Sequence, residues 1–333
     1  MHAADVAEFD LIELIRSRCA IARDDVRLGI GDDAALLAVP AGQVLAVSTD
    51  TLVAGVHFPQ SAKGYDVGWK ALAVNLSDLA AMGATPAWAT LALTLPQADA
   101  AWVADFADGF AALAREFKLA LVGGDTTQGS LSITLTVHGF VPEKAALRRD
   151  AAQIGDAVFV TGTLGDAAAG LRCLDKHSTA GQRTLATASN MRENLIARLQ
   201  RPTPRIAQGL ALRGRARACI DVSDGLVADL GHICAASGVG AEIDLGLLPA
   251  SPALFSLFDA DARAEFQLAG GDDYELCFTA PKANATYWVN DLASSGCGAT
   301  RIGRIVVEPG VRVHDSAGNP VAIARAGWQH FAA

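Results

Sequence analysis

The chain is poor in lysine and has no closely spaced cysteine pair. Only six of its 27 basic residues are Lys, and 36 acidic residues give a net charge of −9. A general polyanion-binding role, such as nucleic-acid binding, is therefore disfavoured, and a phosphate site would depend on Arg, backbone amides or metal ions. The six cysteines form no Cys-x-x-Cys motif, which disfavours a zinc or disulfide framework and fits reduced thiols in the cytoplasm.

Targeting and membrane signals are also missing. The first 20 residues mix acids and arginines with Leu and Ile, so they do not predict a signal peptide. The uncharged run Leu79–Ala98 contains Gly83, Pro86 and Pro96. It is therefore predicted to be a helix end, a turn and a strand, and no membrane partner is expected.

The 333 residues, 51% of them apolar, are enough for two domains of ordinary size. Apolar residues three and four apart predict helices at Phe9–Cys19, Asp66–Met82, Ala100–Phe117, Leu185–Leu199, Pro204–Leu212 and Leu226–Ala236. Alternating or short apolar runs predict strands at Val44–Ser48, Trp88–Leu95, Leu119–Val122, Ser132–Val141, Ala157–Thr161, Ala218–Val222, Tyr274–Thr279 and Ile302–Val307. The chain is thus predicted to be a mixed α/β protein.

Pro142–Gly155 is polar and rich in turn residues, and it separates two sets of strands and helices. We therefore expect domains at residues 1–150 and 151–333. A second polar stretch, Asp175–Asn190, is predicted to be an exposed linker between helices.

Aspartates at the ends of apolar runs carry most of the functional information. They occur in Gly31-Asp32-Asp33, Ser48-Thr49-Asp50, Asn75-Leu76-Ser77-Asp78, Gly123-Gly124-Asp125, Asp221-Val222-Ser223-Asp224-Gly225 and Gly270-Gly271-Asp272-Asp273. Asp78 has Val74, Ala81 and Met82 three or four residues away, so its side chain is expected to point into the protein. Several inward carboxylates need cations, and carboxylates with hydroxyls suit Mg²⁺ that also binds phosphates. We expect these acids to form one anionic site.

Each motif also has a purely structural interpretation. Asp221–Gly225 is compatible with a strand-to-helix turn capped by Ser223, and Asp32-Asp33 with an ordinary turn. The Gly123-Gly124 pair fits either a tight turn or a backbone approach to phosphate. The Arg149 side chain is compatible with solvent exposure as well as with phosphate binding, and His57 is compatible with a structural hydrogen bond. Trp328 is expected to lie in the core rather than to stack on a ligand.

Common kinase signatures are absent. The sequence has no Gly-x-x-x-x-Gly-Lys-[Ser/Thr], no Gly-x-Gly-x-x-Gly after a strand, and no His-Arg-Asp set with a later Asp-Phe-Gly. The chain is therefore not expected to be a P-loop or protein kinase.

In order and spacing, the aspartate motifs resemble the thiamine-monophosphate kinase family. The segments that carry this resemblance are 28–35, 48–55, 70–83, 123–127, 221–226, 270–275 and the closing Trp328–Phe331. The resemblance covers nearly the whole chain. It implies the two-domain fold of aminoimidazole ribonucleotide synthetase, with mixed sheets and a homodimer formed through the amino-terminal sheet.

The resemblance also implies an activity and a set of site residues. The reaction would convert ATP and thiamine monophosphate into thiamine diphosphate and ADP, with several Mg²⁺ ions. The implied metal residues are Asp33, Ser48, Thr49, Asp50, Asp78, Asp125, Asp221 and Asp224. The implied ATP contacts are Gly124, Asp125, Arg149 and Ser223, and the implied thiamine-phosphate contacts are His57, Asp272 and Trp328.

One position departs from the family pattern, because the family often has Glu where this chain has Asp272. Two other protein classes with the same fold are disfavoured. A selenophosphate synthetase would carry a reactive Cys or selenocysteine in a Gly-rich amino-terminal segment, whereas Cys19 lies in a helical pattern. A hydrogenase-maturation protein would end in a functional Cys, whereas this chain ends in Ala332-Ala333. A synthetase that activates another substrate and a non-catalytic nucleotide sensor remain alternatives.

A phosphate-monoester acceptor does not require a catalytic base. Its second pKa of about 6 means that it already carries a nucleophilic oxygen at neutral pH. No catalytic acid or base is therefore expected, and catalysis would rest on positioning and charge neutralisation.

Overall fold

The computed structural model describes residues 7–174, 186–284, 292 and 296–330. Its helices are α1 Glu8–Arg18, α2 Gly64–Ala81, α3 Ala100–Phe117, α4 Asp166–Leu174, α5 Ala186–Gln200, α6 Ile206–Leu212, α7 Leu226–Ser237, α8 Pro252–Leu257 and α9 Ala260–Ala269. Its strands are β1 Val26–Leu28, β2 Leu36–Leu37, β3 Gln43–Val53, β4 Thr85–Leu95, β5 Ala120–Gln128, β6 Ser132–Pro142, β7 Ala157–Thr161, β8 Cys219–Val222, β9 Gly240–Asp244, β10 Glu275–Ala280, β11 Ala299–Val306 and β12 Gly310–His314.

The chain divides into two units after Lys144. The first contains Met1–Leu79 and Ala84–Lys144, and the second contains Ala80–Gly83 and Ala145–Ala333. Among the described residues, no helix has both the length and the apolarity that crossing a bilayer requires.

The first unit is built on a four-stranded sheet in the order β3-β6-β4-β5. The β3–β6 and β6–β4 pairs are antiparallel, whereas β4 and β5 are parallel. Helix α3 has the bounds that the sequence predicts, because the Asp99 carboxylate accepts the amides of Ala101 and Trp102 at its start and Lys118 adopts a left-handed conformation at its end.

The second unit is built on a six-stranded sheet in the order β12-β9-β11-β7-β10-β8. Every residue of its neighbouring strands β7 and β10 is buried, as expected for short continuous apolar runs. Helix α7 begins after Gly225 and ends before Gly238, which caps it with a left-handed backbone.

Several elements differ from the sequence predictions. Strand β3 continues five residues beyond the predicted Ser48 end, and β5 runs through Gly123-Gly124, so the tight turn considered there is wrong. Residues 186–190 begin α5 instead of ending a linker, while residues 175–185 of that predicted linker lie outside the described residues.

Candidate active site

Strand β3 brings Ser48 and Asp50 to helix α2. Side chains alternate between the two faces of a strand, so these two residues share one face. The Ser48 hydroxyl donates a short hydrogen bond to the Asp78 carboxylate, and the Asp50 amide donates to Oδ1 of Asn75 at 3.2 Å. Asp78 is half-buried, which agrees with the inward orientation predicted from its apolar neighbours.

The surroundings of the Asp50 carboxyl perturb its pKa. Burial is the larger cause and the charge of Asp78 the smaller, and together they raise the pKa of Asp50 to about 6. Two neighbouring carboxyl groups of like charge form a local anionic site, which a divalent cation would stabilise.

Thr49 lies on the opposite face of β3. Its hydroxyl contacts the Thr136 hydroxyl of β6 at 2.8 Å, and Thr51 makes the same contact with Thr134. The side chain of Thr49 is therefore not brought to Ser48, Asp50 and Asp78. We call this side of the sheet the threonine face, defined by Thr49, Thr51, Thr134 and Thr136.

Asp125 also lies on the threonine face. It pairs with Ala92 of β4, and Ala92 lies in the same row of the sheet as Thr51. Three strand spacings separate the ends of that row, or about 14 Å. The Asp125 side chain is exposed and points away from the Asp50 face.

The loop that carries Asp33 is held on this same side. Ala35 packs against the apolar cluster that contains Trp88 and Phe140. Trp88 and Ala92 are four residues apart on β4 and thus share a face. Asp33 is exposed, and its amide donates to the Asp32 carboxylate at 2.9 Å. Within the first unit, the predicted metal residues therefore divide between the two faces of the sheet.

Gly124 is required by close packing in the sheet. A Cβ atom at this position would lie 1.9 Å from the carbonyl oxygen of Leu91 on the neighbouring strand. The need for glycine here is therefore explained by the strand pairing alone, and a contact with ATP stays a prediction.

His57 lies in a turn that several hydrogen bonds hold in place, and its own amide donates to the Val53 carbonyl at 3.0 Å. Its Nδ1 accepts the Val53 amide at 3.0 Å, and its carbonyl accepts the ammonium of the buried Lys70 at 3.2 Å. Because Nδ1 is an acceptor, a neutral His57 carries its proton on Nε2. The structural hydrogen bond expected from the sequence is present, whereas substrate binding by His57 stays a prediction.

In the second unit, Asp221–Gly225 covers the end of β8 and the turn that leads into α7. The helix cap is Gly225, without a side-chain cap bond, so the expected cap at Ser223 is wrong. Instead, one oxygen of Asp229 accepts the amides of residues 223, 224 and 225 at 3.0–3.1 Å. Burial raises the pKa of Asp229 to about 7, while these amides act in the opposite direction.

Asp272 and Trp328 are both attached to that turn. The Asp272 amide donates to the Ser223 carbonyl at 2.8 Å, and the Trp328 amide donates to the Asp224 carbonyl at 2.9 Å. A Cβ atom on Gly271 would lie 2.6 Å from the Ser223 carbonyl oxygen, so a glycine is needed for this approach. The structure thus brings Ser223, Asp224, Asp272 and Trp328 together.

The Trp328 side chain is 47% exposed, so the core position favoured from the sequence is wrong. An exposed aromatic ring is instead available to stack on a flat or cationic ligand. Phe331, which extends the predicted motif, lies outside the described residues.

The two other predicted site residues of this unit differ in solvent exposure. Asp221 is buried in β8, and Arg149 is exposed. The Arg149 carbonyl accepts the Ser237 hydroxyl at 2.9 Å, and the neighbouring Arg148 carbonyl accepts the Cys219 amide. Arg149 thus belongs to the second unit, although the expected boundary would have assigned it to the first domain.

These residues fit Mg²⁺ chemically. Both units offer carboxylates beside hydroxyls, Asp50 and Asp78 with Ser48 in the first and Asp221 and Asp224 with Ser223 in the second, which is the donor set that Mg²⁺ prefers. Within the part of the chain that is described, no three His, Cys, Asp or Glu side chains lie close enough to one another to hold a metal ion.

Two residues that hold segments of the site in place, Asp229 and Lys70, were not predicted from the sequence. Asp229 has Gly225, Leu226, His232 and Ile233 three or four residues away, so the argument applied to Asp78 would have identified it. Lys70 offers no comparable signal, because its burial depends on the packing of α2.

Both halves of the chain match domain models of one protein class. Residues 31–141 match the amino-terminal domain of AIR synthase related proteins, and residues 153–316 match the carboxy-terminal domain. The two-domain AIR synthase fold predicted from the sequence is therefore confirmed.

The similarity to individual relatives spans nearly the full chain. Thiamine-monophosphate kinase of Escherichia coli strain K12 is 49% identical over 325 residues, which are 98% of each chain. The crystal structure of thiamine-monophosphate kinase from Stenotrophomonas maltophilia K279a is 51% identical with a TM-score of 0.85, covering 95% of this chain and 98% of that one. A structure of AaThiL complexed with AMPPCP and TMP is 33% identical with a TM-score of 0.75, covering 99% of both chains. The chain belongs to the thiamine-monophosphate kinase family of enzymes.

Proposed function

We propose that this enzyme transfers the γ-phosphoryl group of ATP to thiamine monophosphate, giving thiamine diphosphate and ADP. The observation that carries the proposal is the near full-length identity to thiamine-monophosphate kinases, one of which has been solved with AMPPCP and TMP. The arrangement of Ser223, Asp224, Asp272 and Trp328 around one turn supports it independently.

The chemistry requires positioning more than proton transfer. An oxygen of the acceptor phosphate attacks the γ-phosphorus of ATP in line, a new P–O bond forms, and the bond to the ADP oxygen breaks. The acceptor oxygen is already ionised at neutral pH, so no side chain needs to remove a proton. No phosphoenzyme forms, and a chiral γ-phosphate is expected to be inverted.

The site residues divide into three proposed binding roles. Asp33, Ser48, Thr49, Asp50, Asp78, Asp125, Asp221 and Asp224 would hold Mg²⁺, which when bound neutralises phosphate charge. Gly124, Asp125, Arg149 and Ser223 would contact ATP. His57, Asp272 and Trp328 would contact thiamine monophosphate, with the exposed Trp328 ring facing the cationic thiazolium.

The enzyme is further proposed to act as a homodimer in the cytoplasm. Strand β3 is the outer strand of its sheet, is 11 residues long, and exposes Val44, Leu45 and Val47. A long outer strand with exposed apolar residues favours pairing with a second copy. A cytoplasmic location is supported by the six cysteines, which are all free thiols.

One assay tests the activity and its alternatives. Purified protein is incubated with ATP, Mg²⁺ and thiamine monophosphate, and the products are separated by chromatography. Equal amounts of thiamine diphosphate and ADP are expected. Formation of ADP without thiamine diphosphate would instead indicate a synthetase with another substrate, and nucleotide binding without any product would indicate a sensor.

A further inference from the structure

Asp272 and Tyr274 adopt a backbone conformation that side chains normally avoid. Their φ angles are +69° and +51°, and the other non-glycine residues with positive φ in the described chain are Lys118 and Lys144. Left-handed backbone is sterically unfavourable in a bulky residue such as tyrosine and persists only where the surroundings enforce it. Such strain often marks a functional position.

Hydrogen bonds on both sides enforce this conformation. The Asp272 amide donates to the Ser223 carbonyl and the Tyr274 amide to the Val222 carbonyl, each at 2.8 Å. Between them, the buried Asp273 carboxylate accepts the Gly165 amide at 2.6 Å. The tripeptide is thus tied to the β8–α7 turn and to the start of α4.

The consequence of this backbone is a direct contact between the two flanking side chains. The Tyr274 hydroxyl donates to Oδ1 of Asp272 at 3.0 Å. The Tyr274 ring is only 8% exposed, whereas Asp272 is half-buried. A rigid, buried donor therefore holds a carboxylate that solvent and ligands can reach.

We propose that Tyr274 is a positioning residue that orients the Asp272 carboxylate for recognition of the acceptor. This inference rests on the proposed function. Because Asp272 is negative, it is suited to the organic part of the acceptor, either its cationic ring or an amino group, and would repel the phosphate. Trp328 is attached to the same turn, so the carboxylate and the exposed ring would recognise neighbouring parts of that organic group.

The test is Tyr274→Phe, which removes one oxygen and keeps the buried ring. Loss of a hydrogen bond to a charged group should raise the KM for thiamine monophosphate by about 10-fold. The KM for ATP, kcat at saturation and the melting temperature should stay close to the parent values. Tyr65→Phe, which removes a hydroxyl from a tyrosine of α2 in the first unit, is the matched control and should change none of these quantities.

A double-mutant cycle identifies the partner of the hydroxyl. If Tyr274 acts through Asp272, then Tyr274→Phe should have little further effect in an Asp272→Asn background. Fully additive effects, an unchanged KM in Tyr274→Phe, or equal rises in both KM values with a lower melting temperature would each overturn the inference.

Calorimetric binding of thiamine monophosphate separates failure of the inference from failure of the proposed function. If the parent protein binds the acceptor without phosphorylating it, the proposed function fails, but a weaker Kd in Tyr274→Phe still supports the positioning role. A parent protein that neither binds nor phosphorylates thiamine monophosphate overturns both.

Discussion

Glu275 and Arg205 form a buried ion pair in the second unit. Arg205 Nε donates to Glu275 Oε2 at 2.6 Å, and the Glu275 side chain has no exposed surface. Arg198 and the Thr161 hydroxyl also donate to this carboxylate, so its charge is compensated on several sides. Glu275 follows the strained Asp272–Tyr274 segment directly and anchors it to β10.

Replacing Arg205 should destabilise the protein strongly. Arg205→Gln leaves a buried carboxylate short of positive charge, which we expect to cost about 3–5 kcal/mol in the free energy of unfolding. Arg304→Gln is the matched control, because Arg304 forms an equally short but exposed pair with Glu242 and should cost less than about 1 kcal/mol. Urea unfolding of both variants measures the difference, and equal losses would contradict the prediction.

Replacing Gly124 should damage the first unit. Gly124→Ala places a methyl group against the Leu91 carbonyl, so the strands must separate and the melting temperature should fall by several degrees. Gly123→Ala is the adjacent control, since its methyl would meet only Thr90 Cγ2 at 3.8 Å. Similar melting temperatures for the two variants would show that close packing does not explain Gly124.

Stability should depend on pH through Asp273. Burial raises the pKa of Asp273 to about 8, against the opposing effects of the Gly165 amide and the Arg198 charge. An unfolded Asp has a pKa of about 3.9, so between these values the folded state binds more protons. The contribution of Asp273 to stability should therefore be lost as the pH rises towards 8, by up to about 1.4 kcal/mol per pH unit.

The variant Asp273→Asn isolates this effect. Free energies of unfolding measured from pH 5 to pH 8 should decline less steeply in the variant than in the parent protein, because both share every other titrating group. Parallel curves would rule out Asp273 as the source of the pH dependence.

Trp328 should affect one substrate selectively. Loss of a cation–π contact worth about 0.5–2 kcal/mol should raise the KM for thiamine monophosphate about 2- to 30-fold in Trp328→Ala. The KM for ATP should hardly change, and Trp328→Phe should restore most of the affinity because it keeps an aromatic face. Equal losses for both substrates would indicate a folding defect.

A charge on the outer strand should prevent dimer formation. Val47 is 55% exposed on β3, and Val47→Lys would place an ammonium in the proposed interface. Light scattering after size exclusion should show a dimer for the parent protein and a monomer for the variant. Val307→Lys, at a similarly exposed valine of the second unit, should remain dimeric. A monomeric parent protein would refute the dimer itself.

Strong periodicity and good caps made several elements predictable from the sequence. Helix α3 is the clearest case, because Asp99 and Lys118 fix its two ends. Strands β3 and β5 are longer than predicted because Thr49, Asp50 and Gly123 carry no apolar signal, although backbone pairing continues through them. Strands β9 and β12 were missed because their alternation is short and polar residues interrupt it.

The site was only partly predictable for a related reason. The inward orientation of Asp78 follows from local neighbours on one helix. The division of Thr49 and Asp50 between two faces depends on the length of β3, and the contact of Tyr274 with Asp272 depends on a backbone conformation that residue type does not reveal.

The alternation along β3 makes the exact alignment of this strand decisive. A slip of one residue against β6 would turn Ser48 and Asp50 away from α2 and bring Thr49 in their place. The hydroxyl contacts Thr49–Thr136 and Thr51–Thr134 exist only in the observed alignment. They therefore stabilise this pairing of β3 with β6 over a shifted one. Hydroxyl contacts on one face of the sheet would thereby decide which side chains of β3 meet α2 on the other face.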